Sequence, residues 1–182
     1  QDFALKLGFK KTHIITGAYS ANTTIFEQNY LHNKEKKRQA FPHKFIFVGR
    51  YIANKGLLEL WQAFTELQKE QPNDWELWCL GVGDIPAINN PKIKHFGFVQ
   101  PSDLAIYTEQ TSVFVLPSRF EPWGVVVHEY AASGFPLLLS KRALQKIVAL
   151  KDSELFAMGA KSFELSKSIS PKTWADSLLK IV

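Results

Sequence analysis

The chain of 182 residues holds a single cysteine, Cys79, set within an apolar run. That excludes an intramolecular disulfide framework and fits a reducing compartment. No stretch approaches the ~18 consecutive apolar residues of a membrane-spanning helix, and no signal peptide is visible. Gln1 stands first in place of a methionine, so an upstream portion is expected. The five histidines are scattered, which leaves no zinc-ligand spacing, and no metal site is expected. The Gly-x4-Gly-Lys-Ser/Thr order of a Walker loop is missing, as is a Gly-x-Ser-x-Gly nucleophile elbow. An Asp-x-Asp pair is also missing. Its nearest approach, Asp74-Trp75-Glu76, opens a predicted strand, the end away from any ligand. No basic ladder is interleaved with aromatics, which argues against nucleic acid as a partner.

What is present is core material. Hydrophobic residues make up 46% of the chain, with 14 Phe and 5 Trp, enough to exclude disorder. The length suits one domain or slightly more. The net charge of +5 suits a phosphate-bearing ligand or an anionic membrane surface, or simply a basic solvated surface. Part of it comes from His32–Lys44, which reads as a solvated loop.

Short apolar runs alternate with helical periodicity. Strands are predicted at His13–Thr16, Lys44–Gly49, Trp75–Gly83, Ile93–Val99, Ser112–Ser118 and Phe135–Ser140. Leu57, Leu60, Trp61, Phe64 and Leu67 mark one face of a helix over Lys55–Glu70. Further helices are predicted at Pro101–Gln110 and Gly124–Gly134 and in the tail from Ser153. The last starts at Ser170–Pro171 and carries Trp174, Leu178 and Ile181 on one face. Strand–helix alternation without hairpin turns predicts an α/β fold, a doubly wound, mostly parallel sheet with C-terminal helices. Ligands of such folds sit at the carboxyl ends of the strands, where strand order reverses. That directs attention to Gly49–Lys55, Gly81–Asp84, Gly97–Val99 and Ser118–Gly124.

In VGRYIANKG (Val48–Gly56), Arg50 follows a strand and Lys55 precedes a helix. Two cations with backbone amides at that mouth can neutralise a diphosphate, or can be plain loop charges. In FEPWGVVVHE (Phe120–Glu129), two glutamates flank seven residues. Gly124 allows close backbone approach, and the helix behind it offers unpaired amides and the positive end of a dipole. Glu129 can accept hydrogen bonds from a vicinal diol, and Glu121 can serve a sugar ring. The plainer alternative is that Glu121 caps the helix and Glu129 pairs with a lysine. His128 reads as a packed or surface histidine.

Together, FVGRYIANKGLLELWQAF, LWCLGVGD, the stretch from Ile93 to Ser140 and MGAKSFELSKSISPKTWADSLL resemble the C-terminal, donor-binding half of a retaining GT-B glycosyltransferase, in the glycosyl transferases group 1 (family 4). The resemblance implies a Rossmann-like nucleotide-sugar-binding domain over residues 27–165. The end of an acceptor domain and the crossover would fill 1–26, and a final helix 166–182. It implies that Arg50 and Lys55 hold the donor diphosphate, Glu121 contacts the transferred sugar and Glu129 binds the ribose. Gly49, Pro122, Trp123 and Gly124 would line sugar and phosphate, and Gly97, Phe98 and Val99 would meet the base. Metal-independent, configuration-retaining transfer of a hexose from a UDP- or GDP-linked donor to a glycan or lipid-linked acceptor would follow, with no cofactor. The setting implied is cytoplasmic, with the absent acceptor half as the part that touches the inner membrane face. The acceptor-side histidine lies outside this chain, which alone should bind nucleotide and be inactive. The segment after Ser140 is shorter than the family pattern. Trp123 and His128 occupy variable positions, so donor identity stays open. A sugar-nucleotide epimerase of the same architecture and a non-catalytic binding module are the alternatives.

Overall fold

The computed structural model describes residues 2–14, 20–140 and 143–172. Two helices precede the sheet, α1 (Asp2–Lys6) and α2 (Thr24–Gln39). Then follow β1 (Lys44–Val48), α3 (Leu57–Glu70), β2 (Glu76–Leu80), β3 (Ile93–His95), α4 (Leu104–Gln110) and β4 (Val113–Val115). The chain continues through α5 (Val125–Ala132), β5 (Leu137–Leu138), α6 (Leu144–Val148) and α7 (Asp152–Ser166). Five parallel strands lie in the order β3-β2-β1-β4-β5. The strands step outward from β1 to β3, and the chain then returns to the other flank of β1 with β4. The strand order therefore reverses between β1 and β4.

The fold is the doubly wound parallel sheet expected from the sequence. Phe45, Ile46, Phe47, Leu77, Cys79, Val113, Phe114 and Val115 are fully buried. A parallel sheet covered on both faces has no wet side, so its strands read as unbroken apolar runs. All five periodic residues of α3 are buried against it. Burial of each such side chain contributes about 1.5–3 kcal/mol relative to exposure.

Several elements differ from expectation. His32–Lys44 is not a solvated loop; its first part completes α2. Only Phe26 and Asn33 of that helix are buried, so no apolar stripe announces it. Its lysines, glutamates and glutamines are good helix formers, and beside the apolar contacts of Phe26 and Tyr30 it is attached through polar ones. Lys37 donates from Nζ to the carbonyl of Thr108 at 2.7 Å and stands 4.0 Å above the ring of Phe135. Lys36 pairs with Glu109. At the predicted strand His13–Thr16, Lys11–His13 is a 3-10 turn, and Thr16 and Gly17 lie outside the described residues. β4 and β5 are shorter than the apolar runs around them because pairing stops where the loops diverge. α6 is an additional helix in the segment after Ser140. Trp174, Leu178 and Ile181 fall outside the described residues. No helix among those described is long and apolar enough to cross a membrane.

Candidate functional site

The carboxyl ends of β1 and β4 flank the reversal point, and their loops are tied together. The amide of Arg119 donates to the carbonyl of Asn54 at 2.8 Å. Gly56, with φ +66°, lies so close to the Pro117 carbonyl that any Cβ there would collide with it. A residue with a side chain would be strained twice over, by its dihedral and by the contact. This contact holds the first turn of α3, and Lys55 just before it, against the loop that carries Glu121.

Lys55 and Glu121 meet across that junction. Lys55 Nζ donates to Glu121 Oε2 at 2.6 Å, and Ser118 Oγ donates to the same oxygen at 3.1 Å. The pair is largely shielded, with side chains 19% and 25% exposed. Burial pushes the Glu121 carboxyl up, but Lys55, Ser118 and the Gly124 amide outweigh it and hold the group below its usual range. The carboxylate is therefore charged, and both side-chain donors meet it at Oε2. The stem of Lys55 folds back toward β1: its Cε lies 3.9 Å from where a Cβ on Gly49 would stand.

On the other side of Gly49 is a cavity of about 200 Å³. Gly49, Arg50, Gly81, Val82, Phe98 and Val99 line it, together with Val48 and Leu80. The Gly81 amide donates to the Gly97 carbonyl at 2.7 Å, which sets the β3 loop beside it. The ring of Phe98 is 66% exposed and unpacked on its outer face. Arg50 is exposed and forms no ion pair among the described residues. A flat apolar slot with a free guanidinium at its lip can take a planar heterocycle and an attached anion.

α5 opens at Gly124, whose φ of +59° suits glycine. The first amides of a helix have no intrahelical partner and attract anions. Glu129, one turn further in, is half-buried with no hydrogen-bond partner among the described residues. Burial raises its pKa above the usual carboxylate value. Pro122 and Trp123 are exposed in the connecting loop.

The structure thus brings Gly49, Arg50, Phe98 and Val99 to one cavity. It brings Lys55, Glu121 and Gly124 to a second cluster that meets the first at Gly49. Glu129 stands on the helix behind, and no contact joins it to Arg50 or Lys55. Glu121 binds Lys55, and although the Gly124 amide helps to lower its pKa, no side-chain hydrogen bond caps α5, so the capping alternative is not met. The sequence reading assigned no role to Ser118, although a serine three residues before a glutamate in a loop is a recognisable hydrogen-bonding spacing. Val82 falls within the loop Gly81–Asp84 that the strand-end rule points to, whereas Leu80 looks like any other apolar strand residue. Asp74 and Glu76 do lie at the amino end of the sheet, away from this site. Among the described residues no group of three or more His, Cys, Asp or Glu could hold a metal ion.

The sequence pattern of the glycosyl transferases group 1 matches residues 42–180. Mannosylfructose-phosphate synthase of Agrobacterium fabrum is 26% identical over 159 residues, which are 77% of this chain and 34% of that protein. An uncharacterized glycosyltransferase of Haemophilus influenzae is 30% identical over 141 residues, 71% of this chain and 36% of that protein. The chain spans about a third of the length of these curated relatives. Among solved structures, the C-terminal domain of a glycosyl transferase group 1 family protein from Francisella tularensis superposes with a TM-score of 0.59 at 13% identity. The match covers 81% of this chain and 97% of that one. Anabaena HepE in complex with UDP and glucose gives 0.62 at 14% identity, covering 90% of this chain and 55% of that one. With a parallel sheet reversing at β1 and β4 and a family match over most of its length, the chain belongs to the glycosyl transferases group 1 and has the fold of the C-terminal domain of a GT-B glycosyltransferase.

Proposed function

We propose that this domain binds a nucleoside-diphosphate sugar and supplies the donor side of a hexosyl transfer that retains anomeric configuration. The observation that carries the reading is the Lys55–Glu121 pair, held at the reversal point and joined through Gly49 to the cavity that bears Arg50. The base lies in the slot beneath Phe98, and Val99 closes its far side. Arg50 and Lys55 take the diphosphate, Glu121 the transferred sugar and Glu129 the ribose hydroxyls. Pro122, Trp123 and Gly124 border the sugar.

Lys55 is neutralised by Glu121. Donor binding exchanges partners: the ammonium turns to phosphate and the carboxylate to sugar hydroxyls, so neither charge is left unpaired. As the bond from the sugar to phosphate breaks, negative charge grows on the leaving diphosphate. Fixed cations and helix amides stabilise it without reorganising. In this reading they supply the positive charge, and no metal is required. Two UDP complexes among the structural neighbours support a uridine nucleotide, with GDP as the competitor. The acceptor is a glycan or a lipid-linked glycan brought by the preceding half, and the chain alone does not turn over. The reading places the enzyme in the cytoplasm, with that half at the membrane.

Calorimetry with UDP and GDP tests this. The wild-type chain is expected to bind one of them with a micromolar-to-millimolar Kd. The double variant Arg50→Ala, Lys55→Ala should lose at least about 100-fold, since two charge-assisted contacts of about 1.5–3 kcal/mol each amount to about 10²- to 10⁴-fold. Equal affinity in the two proteins defeats the phosphate assignment.

A further inference from the structure

His128 lies next to Glu129 on α5 and is hydrogen-bonded on both ring nitrogens. The amide of Ala21 donates to its Nδ1 at 3.3 Å. Its Nε2 stands 3.0 Å from the carbonyl of Ser166, which can only accept. The two contacts fix the tautomer: the proton is on Nε2, and Nδ1 is a bare acceptor. Both partners are backbone groups of buried residues, Ala21 at 3% and Ser166 at 5% exposure. Ala21 belongs to the segment that leads into α2, and Ser166 ends α7. The partners are thus 107 and 38 residues away in sequence. The ring is a strut joining three elements at the level of α5 where Glu129 begins.

α5 needs such a strut. It has eight residues, and its buried ones, Tyr130, Ala131 and Ala132, all lie in its second half. Its first half rests on Gly124, on the half-buried valines 125–127 and on His128. Glu129 has no partner of its own to fix its position among the described residues, and its carboxylate is held at depth by the helix alone.

We infer that His128, as the neutral Nε2–H imidazole, is the positioning residue that fixes Glu129 in the donor site and ties that site to the chain segment entering ahead of α2. The inference rests on the ribose role proposed for Glu129. It extends that role to a residue that touches no ligand, and it makes the approach of the preceding segment a determinant of nucleotide affinity.

The substitutions separate the two ends of the strut. In His128→Asn the amide oxygen replaces Nδ1 as acceptor for Ala21. In His128→Gln the amide nitrogen replaces Nε2 as donor to Ser166. His128→Ala keeps neither. Two readouts on the full 182-residue chain decide the matter, with thermal unfolding confirming that each variant is folded. Amide hydrogen exchange at Ala21, without ligand, is expected to be slow in wild type and His128→Asn and fast in His128→Ala and His128→Gln. Calorimetry is expected to show His128→Ala weakening UDP or GDP by about five- to tenfold, with inorganic pyrophosphate unchanged. Asn and Gln each recover part of the loss, and His128→Ala adds nothing in a Glu129→Ala background. An equal loss for pyrophosphate, or an additive loss in that background, shows a merely structural residue and overturns the inference. Unchanged affinity in a folded His128→Ala overturns it as well. A wild-type chain that binds neither nucleotide overturns the donor-site reading itself, and the Ala21 exchange pattern then reports the strut alone.

Discussion

The two ends of the sheet carry similar residue types and use them differently. At the amino end, His43 stacks on Trp75 with ring centroids 4.9 Å apart. Its Nδ1 reaches Asp74 at 2.7 Å and its Nε2 reaches Asp152 at 2.9 Å. Ser112 Oγ closes onto the Pro42 carbonyl, and the Asn73 side chain accepts from the amide of Trp75 at 3.0 Å. Each charge there has a partner from a different element, and the result is a latch between the start of α7 and the base of β1. At the carboxyl end, Arg50 has no ion-pair partner among the described residues, Lys55 and Glu121 pair with each other beside Ser118, and Phe98, Phe120 and Trp123 stand exposed at 66%, 66% and 71%. Satisfied charges fix structure; under the proposed function, the charges at the carboxyl end exchange partners when a ligand binds.

That contrast breaks or holds under substitution. The largest effect expected is the loss of nucleotide affinity in the Arg50, Lys55 double variant, with the thermal midpoint almost unmoved. Next comes Glu129→Ala, which should weaken nucleoside diphosphate by about tenfold and leave pyrophosphate untouched, since only the former carries a ribose. Equal weakening of both would remove the ribose role. Because burial raises the Glu129 pKa, wild-type nucleotide affinity should begin to fall at a pH above the ordinary carboxylate range as the carboxyl protonates, and a Glu129→Gln variant should lack that acid limb.

Smaller effects belong to the structural half. Burial pulls the Lys37 ammonium down to about 7, with Glu109 offsetting part of the shift. The unfolded chain holds that proton up to about pH 10.4. Between these values the unfolded state binds more protons, so stability rises with pH from about 7 upward. Thermal scans should show that slope in wild type and lose it in Lys37→Met. Smallest is the His43 latch. Burial lowers its pKa, but Asp152 and Asp74 more than reverse this and the net shift is upward. Its stabilisation is complete below the unfolded value of about 6.5 and fades as pH rises through the folded value. His43→Ala should lower the midpoint at pH 6 more than at pH 9, with nucleotide affinity unchanged at either pH. A change in affinity would blur the contrast between the two ends.

The same contrast explains what was legible in sequence. Phe45–Phe47, Leu77–Leu80 and Val113–Val115 announce buried parallel strands because both faces are covered, and α3 announces itself through five apolar residues on one face. α2 does not, because Phe26 and Tyr30 make no apolar stripe and the rest of its attachment runs through Lys36 and Lys37 to Glu109 and the Thr108 carbonyl, and lysine reads as solvated in any sequence pattern. Arg50, Lys55 and Glu121 were legible as charges beside strand ends. That Lys55 and Glu121 bond each other, that Ser118 joins them and that His128 spans two backbones are tertiary facts that spacing does not encode.

A crystal structure of the chain with UDP tests the central claim most directly. The account predicts the base in the slot beside Gly49 and Phe98, the diphosphate on Arg50 and Lys55, and Lys55 Nζ moved off Glu121. Nucleotide bound elsewhere, with the 2.6 Å Lys55–Glu121 contact intact, would contradict it.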